Sequence, residues 1–521
     1  MSKRPNVLFI ISDQHNAKVT GYAGHPDVKT PHLDKLAAAG TRCENAITQN
    51  PICTPSRTCY LSGQYCHNHG YYGLSGPNPK GLPTIFGHFR RHGYTTAALG
   101  KIHCPEYWVE DDCDVFHETC NTSIGGRSAA YERFLAERGK LELEDHTALT
   151  EFGGRGRQSM EGRVSPCTYE ESQEGWIAAN TIAFMREAVA AERPFIVQAS
   201  LPRPHQCTAP SEPFWSMYEG VDLTLPPNAD YDQRAAKKAP HVIAAADNWR
   251  TGNWALIEPK TFEAARLRKL RGYLGAVSQV DHAVGQMVGF LDEAGIADDT
   301  IVIYTSDHGD YATEHGLMEK APGICHDAIT RIPHIWRYPG TTKAGHVAPE
   351  LVETVDLSAT ICSLAGLPAM ETSDGKDITH ILRGDGGEVR RVGVTEFAWS
   401  KSVRRGKYRL VYYPPELFAA DYPDGFGELY DLEADPWEMR NLFFESDHAQ
   451  TVRELQGELL NWLITTTRPK TTNGANAGSS GTSAVSDPQH EQRRARYRTV
   501  VNADDKIHPD RLRNASHKNY I

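Results

Sequence analysis

The chain lacks an apolar stretch long enough to cross a membrane. Its N-terminal apolar run is only Val7 to Ile11, and Ser-Asp-Gln follows it without a small-residue cleavage site. A bilayer-spanning helix needs about 20 apolar residues, and the apolar part of a secretion signal about 7–15. We therefore expect a cytoplasmic protein with no membrane partner, and we interpret this run as a first β-strand.

The sequence also lacks the patterns typical of disulfide frameworks, zinc knuckles and nucleic-acid surfaces. Its 11 cysteines are odd in number and never form a Cys-x-x-Cys pair, so free thiols are expected. The formal net charge is −11, which argues against a broad surface for nucleic acid. A local positive pocket for an anionic substrate stays compatible with that charge.

What the sequence does contain is an alternation of strands and helices. The run "NVLFIISDQ" is apolar and ends in polar residues, and "TIVIYTSDHGD", Thr300 to Asp310, repeats the pattern. Helices are predicted over Thr30 to Gly40 and Phe262 to Ala294, and further strands at "YTTAALGK" and "RPFIVQASLP". This alternation predicts an α/β fold with a large, mostly parallel sheet sandwiched by helices.

Changes in composition divide the chain into three parts. Residues 1–390 are predicted to form the catalytic domain, with insertions at about 141–172 and 207–259 that we expect to wall a substrate pocket. Residues 391–467 alternate in polarity and predict a smaller α+β subdomain with an antiparallel sheet. Residues 468–521 read as a linker and a basic tail, which is either a solvated end or an arm for homo-oligomerisation.

Several polar side chains follow predicted strands directly: Asp13, Gln14, Lys101, Asp307 and His308. Ligands of open α/β sheets bind beyond the carboxyl ends of the strands. Carboxylates with one amide oxygen and one imidazole form a mostly oxygen-based site for a divalent metal. For Asp13-Gln14 alone, or for Asp307-His308 alone, a turn at the strand end is the commoner explanation. Two such pairs near a nucleophile favour a metal site.

The segment "CTPSR", Cys53 to Arg57, supplies a candidate nucleophile. Thr54 is a fair N-cap and Pro55 suits the first helical position, so we expect Cys53 just before a helix. Unpaired N–H groups there favour negative charge, and Arg57 lies one turn further on. From these residues alone, a buried structural thiol, an activated thiolate and a metal-bound nucleophile all stay open.

The segment "CTPSRTCYLSG" resembles the signature of the type I sulfatases, a family of the alkaline phosphatase superfamily. That signature is Cys-x-Pro-Ser-Arg with a Leu-x-Gly ending, matched here by Leu61 and Gly63. The stretches "NVLFIISDQ", "LGKIH", "TSDHGDYATEHGLMEK" and "GELYDLEADPWEMRNL" resemble further elements of the family. The resemblance covers most of the chain except the insertions and the tail, and it implies an alkaline phosphatase-like fold.

The resemblance implies hydrolysis of small sulfate esters, as by an arylsulfatase. Cys53 would be oxidised by a formylglycine-generating enzyme to Cα-formylglycine, whose hydrated form is a gem-diol. One hydroxyl of the diol would attack sulfur to give a covalent sulfo-enzyme intermediate, and the other would then expel sulfate. One divalent metal, Ca²⁺ or alternatively Mn²⁺, would be bound by Asp13, Gln14, Cys53, Asp307 and His308.

The resemblance also assigns roles to the remaining site residues. Arg57 would hold the diol, and Lys101 and Lys320 would bind the sulfate oxygens. His103 would help deprotonate the second hydroxyl, and His205, in "LPRPHQ", would protonate the leaving oxygen.

Two other functions stay open at this point. Phosphonate monoester and phosphodiester hydrolases share the same motif, and His308 fits them equally well. A non-catalytic protein that only binds sulfated ligands is the other alternative, although the presence of the nucleophile, metal residues and cations argues against it.

Overall fold

The computed structural model describes residues 4–77, 79, 81–105, 108–119, 129–140, 162–206, 208–251, 261–320 and 325–468.

The main sheet in this part of the chain has eight strands: β1 (Asn6–Asp13), β2 (Thr41–Ile47), β3 (Thr95–Gly100), β4 (Val115–Glu118), β5 (Phe195–Pro204), β6 (Thr300–Ser306), β7 (His334–Arg337) and β8 (His346–Glu353). Their order is β4-β3-β5-β1-β6-β7-β2-β8. Strand β7 runs antiparallel to β6 and β2, and the other pairs are parallel. The predicted mostly parallel sheet is therefore confirmed.

Twelve described α-helices accompany the strands: α1 (Pro31–Ala39), α2 (Cys53–Ser62), α3 (Cys66–His69), α4 (Ile85–Arg91), α5 (Ala129–Ala136), α6 (Gln173–Ala190), α7 (Pro240–Arg250), α8 (Phe262–Glu293), α9 (Asp327–Thr330), α10 (Asp356–Leu364), α11 (Thr379–Leu382) and α12 (Ala449–Thr466). Strand β1 shows how they cover the sheet. Phe9 faces a core shared with α4 and α10, and its neighbour Ile10 faces a core shared with α1, α6 and α8. Because strand side chains alternate between faces, helices cover both sides.

A second, antiparallel sheet follows in sequence, with the strands β9 (Gly393–Glu396), β10 (Lys401–Arg405), β11 (Tyr408–Tyr412) and β12 (Gly427–Asp431). Helix α12 packs on this sheet through Leu455 and Leu459. The same apolar cluster contains Cys59 of α2 and Cys66 of α3. The small sheet is therefore packed against the helix that begins at Cys53.

The sequence-based boundaries agree with these elements in most places. The long helix predicted over Phe262 to Ala294 is α8, and the helix expected at Thr30 to Gly40 is α1. Parts of the two predicted insertions, namely 141–161, 207 and 252–259, and the tail 469–521 lie outside the described residues. The pocket walls and the oligomerisation arm therefore stay predictions.

Two expectations about composition can be compared with the structure. Over the described ranges, the structure contains no helix whose length and apolarity would suit a membrane span. Nine cysteines fall in those ranges, all nine are buried, and no disulfide joins any two of them. The expected absence of a disulfide framework agrees with this part of the chain.

Candidate active site

The sheet brings the predicted site residues to one edge. Asp13 is the last residue of β1, and Asp307 and His308 follow β6, the parallel neighbour of β1. Lys101 follows β3, which is separated from β1 by β5. Since the carboxyl ends of parallel strands lie at the same edge, side chains from distant parts of the chain come into contact there.

Helix α2 begins at Cys53 itself, two residues before the predicted first helical position at Pro55. Ile52 is the N-cap residue, and the Ser56 N–H donates to the Ile52 carbonyl at 3.1 Å. The prediction that Thr54 caps the helix is wrong, because its hydroxyl donates instead to the carbonyl of His103 at 2.9 Å. This bond ties the first turn of α2 to the segment after β3.

Arg57 joins the two strand-end carboxylates. Its Nη2 lies 2.9 Å from Asp13 Oδ2, and its Nε lies 2.8 Å from Asp307 Oδ2. Its Nη1 donates to the Ser200 hydroxyl at 2.8 Å and also to the carbonyl of Lys101. The guanidinium is fully buried, so it fixes both carboxylates in a planar, five-donor arrangement that lysine cannot reproduce.

The Cys53 side chain lies at the centre of this arrangement. Its Sγ is 3.1 Å from Lys320 Nζ and 3.2 Å from His308 Nε2. It also lies 3.7 Å from Asp13 Oδ1. Burial raises the pKa of the thiol, but Lys320 and Lys101 outweigh burial and hold the pKa well below its ordinary value. The site therefore stabilises negative charge at position 53.

The pKa values of the two carboxylates are shifted in opposite directions. Burial and Cys53 act to raise the pKa of Asp13, but Lys101, whose Nζ is 2.7 Å from Asp13 Oδ2, and other cations hold it well below its usual range. Burial and the neighbouring Asp13 raise the pKa of Asp307. Asp13 is thus the fixed anion of the site.

The imidazoles of His103 and His205 lie beside Cys53: His103 acts to lower the pKa of the Cys53 thiol, and Cys53 acts to raise the pKa of His205. The backbone N–H of His205 donates to the carbonyl of Asp13 at 3.1 Å, and that of His103 donates to Glu118 Oε2 at 2.8 Å. His205 Nδ1 lies 2.7 Å from the carbonyl of Gln206. Nδ1 therefore carries the proton, and Nε2 is the free nitrogen of the neutral ring.

The donor atoms around Cys53 fit a divalent cation. The ligand atoms of Asp13, Cys53, Asp307 and His308 all lie within 4.8 Å of one another. His308 Nδ1 lies 2.9 Å from the carbonyl of Gly309, which leaves Nε2 free to bind a metal. Carboxylate oxygens with one imidazole suit Ca²⁺ or Mn²⁺.

Gln14 completes the donor set. Its Nε2 donates to Asp310 Oδ2 at 2.5 Å, so its Oε1 points the other way and accepts from Lys320 Nζ at 3.0 Å. Lys320 Nζ also lies 3.2 Å from His308 Nε2. Gln14 Oε1 and His308 Nε2 therefore both face the positive charge of Lys320.

A second cluster of potential ligands, formed by Cys59, Cys66 and His69, fits a metal poorly. The backbone N–H of Tyr71 donates to His69 Nδ1 at 3.0 Å. The proton of the neutral ring therefore lies on Nε2, which faces Cys59 Sγ at 3.2 Å. A metal-binding histidine instead donates through its second nitrogen, so this cluster is interpreted as packing.

The sequence motifs identify the predicted site residues, but they do not reveal the neighbouring side chains that hold those residues in place. Ser200, Glu118 and Asp310 touch the site without belonging to any recognised pattern. Glu118 is the last residue of β4, so a survey of every polar residue at a strand end would have included it. Ser200 lies within β5 and would not have been found in this way. Asp310 is visible only as part of "SDHGD".

Comparison with protein families gives two matches. A family model described as "Sulfatase" matches residues 5–367. A second, described as "N-sulphoglucosamine sulphohydrolase, C-terminal", matches residues 313–464. Together these matches extend from the start of β1 to the end region of α12.

Individual relatives are similar along most of their length. An ulvan-active sulfatase of Formosa agariphila is 25% identical over 470 residues, covering 88% of this chain and 80% of its own. An arylsulfatase of Clostridium perfringens is 26% identical over 481 residues, covering 88% and 94%. A phosphonate monoester hydrolase structure from Silicibacter pomeroyi superposes with a TM-score of 0.73 at 22% identity, covering 89% of this chain and 96% of that one.

Proposed function

The chain belongs to the sulfatase family, and from that membership we propose that it hydrolyses small organic sulfate esters at a nucleophile derived from Cys53. The observation that carries the proposal is the surroundings of Cys53. Its Sγ lies at the start of α2, 3.1 Å from Lys320 Nζ and 3.7 Å from Asp13 Oδ1. An anionic ester and a metal-binding nucleophile can meet at that position.

The nucleophile in this proposal is Cα-formylglycine, made from Cys53 by an oxidising maturation enzyme. Water adds to the aldehyde to give a gem-diol. One hydroxyl gives its proton to Asp307 and attacks sulfur, the S–O bond to the organic group breaks, and the sulfuryl group stays on that oxygen of residue 53 as a sulfate ester. The second hydroxyl then loses its proton as the carbonyl re-forms and sulfate leaves.

The cations around position 53 stabilise the charge that develops. Arg57 holds Asp13 and Asp307 in place, while Lys101 and Lys320 approach the nucleophile from two sides. A divalent cation bound by Asp13, Gln14, Asp307 and His308, Ca²⁺ or alternatively Mn²⁺, would supply an acidic centre that favours the anionic form of the nucleophile.

His205 supports proton transfer to the leaving oxygen. Burial, Lys101 and Lys320 lower its pKa to about 4, so its imidazole is neutral at pH 7 in the free enzyme. A bound sulfate ester adds negative charge beside the two lysines, and this charge raises the pKa of the imidazole. The protonated Nε2 can then donate to the oxygen that leaves sulfur.

The experiment compares two ester classes on protein produced together with a formylglycine-generating enzyme. We expect hydrolysis of 4-nitrophenyl sulfate with a kcat/KM above that for a 4-nitrophenyl phosphodiester or phenylphosphonate, and no turnover by Cys53→Ala. A higher kcat/KM for the phosphorus esters would replace the proposal by the phosphonate monoester or phosphodiester hydrolase alternative. Equal rates for the wild type and Cys53→Ala would exclude both.

A further inference from the structure

Asp310 is a buried carboxylate that contacts the site from behind. It is 3% exposed, and its Oδ2 accepts the bond from Gln14 Nε2 at 2.5 Å. Its Oδ1 accepts two backbone bonds, from Ala312 at 2.6 Å and from Glu319 at 3.1 Å. One side chain therefore links a predicted metal ligand with both ends of the segment that precedes Lys320.

The first consequence concerns the orientation of the Gln14 amide. A side-chain amide has a donor end and an acceptor end, and only the oxygen can bind a metal cation. Because Asp310 Oδ2 accepts the bond from Gln14 Nε2, Asp310 holds the NH₂ end of Gln14. The oxygen is thereby turned towards Lys320 and the metal ligands.

The second consequence concerns the backbone between Asp310 and Lys320. Four residues of this segment other than glycine have positive φ: Ala312 (44°), Thr313 (81°), His315 (55°) and Glu319 (67°). Such conformations cost free energy and persist only where surrounding contacts enforce them. The two bonds to Asp310 Oδ1 are contacts of this kind, and they fix where Lys320 emerges.

Helix α8 supports the same assembly from the other side. The Tyr273 hydroxyl donates to the carbonyl of Gln14 at 2.8 Å. Lys269 Nζ lies 2.5 Å from Glu319 Oε1. Gln14 and Glu319 are thus each anchored on α8, and Asp310 connects the two.

We propose that Asp310 is a positioning residue that orients Gln14 as a metal ligand and fixes the segment that carries Lys320. The metal-binding role of Gln14 is part of the proposed function. Metal affinity, however, can be measured without substrate. A chain that binds metal as expected but hydrolyses no sulfate ester would refute the proposed function alone.

The first test is Asp310→Asn in the full-length chain. The Asn oxygen can still accept the two backbone bonds, but its NH₂ group then faces Gln14 and forces the Gln14 amide to reverse. We expect the affinity for Ca²⁺, measured by calorimetric titration of chelator-treated protein, to fall at least about tenfold, as is usual when a group behind a metal ligand is changed. The same titration with Mn²⁺ should show the same loss.

The second test asks whether the loss comes from the orientation of the amide. Gln14→Glu replaces the NH₂ end by an oxygen, so residue 14 can accept from the D310N side chain and still offer an oxygen to the metal. We expect Gln14→Glu to improve Ca²⁺ affinity at least about tenfold more in the D310N background than in the wild type. Such coupling would not arise if Asp310 were only a structural residue.

Asp281→Asn is the matched control. Asp281 is also a buried carboxylate, and it accepts two backbone bonds from residues at the start of α1. It should leave Ca²⁺ affinity unchanged, and circular dichroism should show that all variants fold. Each of three results would overturn the proposal: wild-type affinity in Asp310→Asn, additive effects in the double variant, or a wild type that binds neither ion. An unfolded Asp310→Asn variant would overturn it as well, since the two backbone bonds are expected to survive the change.

Discussion

At the scale of single residues, the site depends on one buried cation, Arg57. The guanidinium reaches both Asp13 and Asp307, at 2.9 and 2.8 Å, and also Ser200. All of these groups are removed from water, so the loss of one partner leaves a buried charge without compensation. No single ammonium group can reach both carboxylates with the same planar geometry.

Arg57→Lys should therefore damage both stability and activity. We expect the free energy of unfolding, measured by urea denaturation, to fall by about 3–5 kcal/mol. The kcat for an aryl sulfate should fall at least about a hundredfold, because the carboxylates lose their fixed positions. Arg234→Lys is the control: its pair with Asp247 is exposed, so stability and kcat should both stay at the wild-type level. A wild-type rate in Arg57→Lys would contradict the assignment.

The imidazole of His205 gives a second test at this scale. If it protonates the leaving oxygen, its loss should matter most for poor leaving groups, which need the proton in the transition state. His205→Ala should therefore lower kcat for phenyl sulfate at least about tenfold more than kcat for 4-nitrophenyl sulfate. His67→Ala, which removes an imidazole bound to Glu396, should lower both rates equally or not at all. Equal losses in His205→Ala would contradict the role.

At the scale of secondary structure elements, a buried lysine, Lys238, is among the contacts that join the segment 208–251 to the small sheet. Lys238 Nζ lies 2.9 Å from His326 Nε2 and 3.5 Å from Glu428 Oε1 of β12, and it donates to Tyr430 as well. His326 is fully buried in this network. It therefore supports the packing of the two parts.

Lys238→Met should remove this connection and leave the Glu428 carboxylate buried without its main cation. We expect the free energy of unfolding in urea to fall by about 3 kcal/mol. The neighbouring Lys237 is exposed, and its Nζ lies over the ring of Phe444 at 4.9 Å. Lys237→Met should cost less than about 1 kcal/mol. Equal effects of the two substitutions would show that Lys238 does not join the elements.

The elements also show how far sequence patterns reach. Apolar runs that end in a carboxylate identified β1 and β6, and parallel pairing then required Asp13 and Asp307 to be close. The start of α2 was misplaced because propensity favours Thr54 as a cap, whereas the structure uses its hydroxyl to bind His103. The role of Asp310 was not predictable, since it rests on three bonds set by the folded chain.

At the scale of the whole molecule, charge is distributed unevenly along the chain. The formal net charge is −11, yet the end of the chain from Arg493 carries eight Lys and Arg against three Asp. The last described residue, Arg468, is anchored to the body by Asn68 and Asp374. Because the rest of the chain is acidic, its basic C-terminal segment is able to pair electrostatically with a second copy of the chain.

This distribution supports the proposal that the tail joins subunits. We expect the full chain to sediment as an assembly at low ionic strength and to dissociate partly at high salt, because exposed charges are screened. A chain that ends after residue 468 should sediment as a monomer and keep its kcat. The same sedimentation coefficient for both chains would contradict the proposal, and so would an assembly of the full chain that salt leaves unchanged.

The central claim is that Cys53 becomes the reagent that hydrolyses sulfate esters. The most direct measurement is the initial rate of sulfate release from 4-nitrophenyl sulfate in preparations that differ only in the fraction of Cys53 converted to formylglycine, as quantified by peptide mass spectrometry. We predict a rate proportional to that fraction, with zero rate at zero conversion. A rate that does not depend on conversion, or that is undetectable in fully converted protein, would contradict the account.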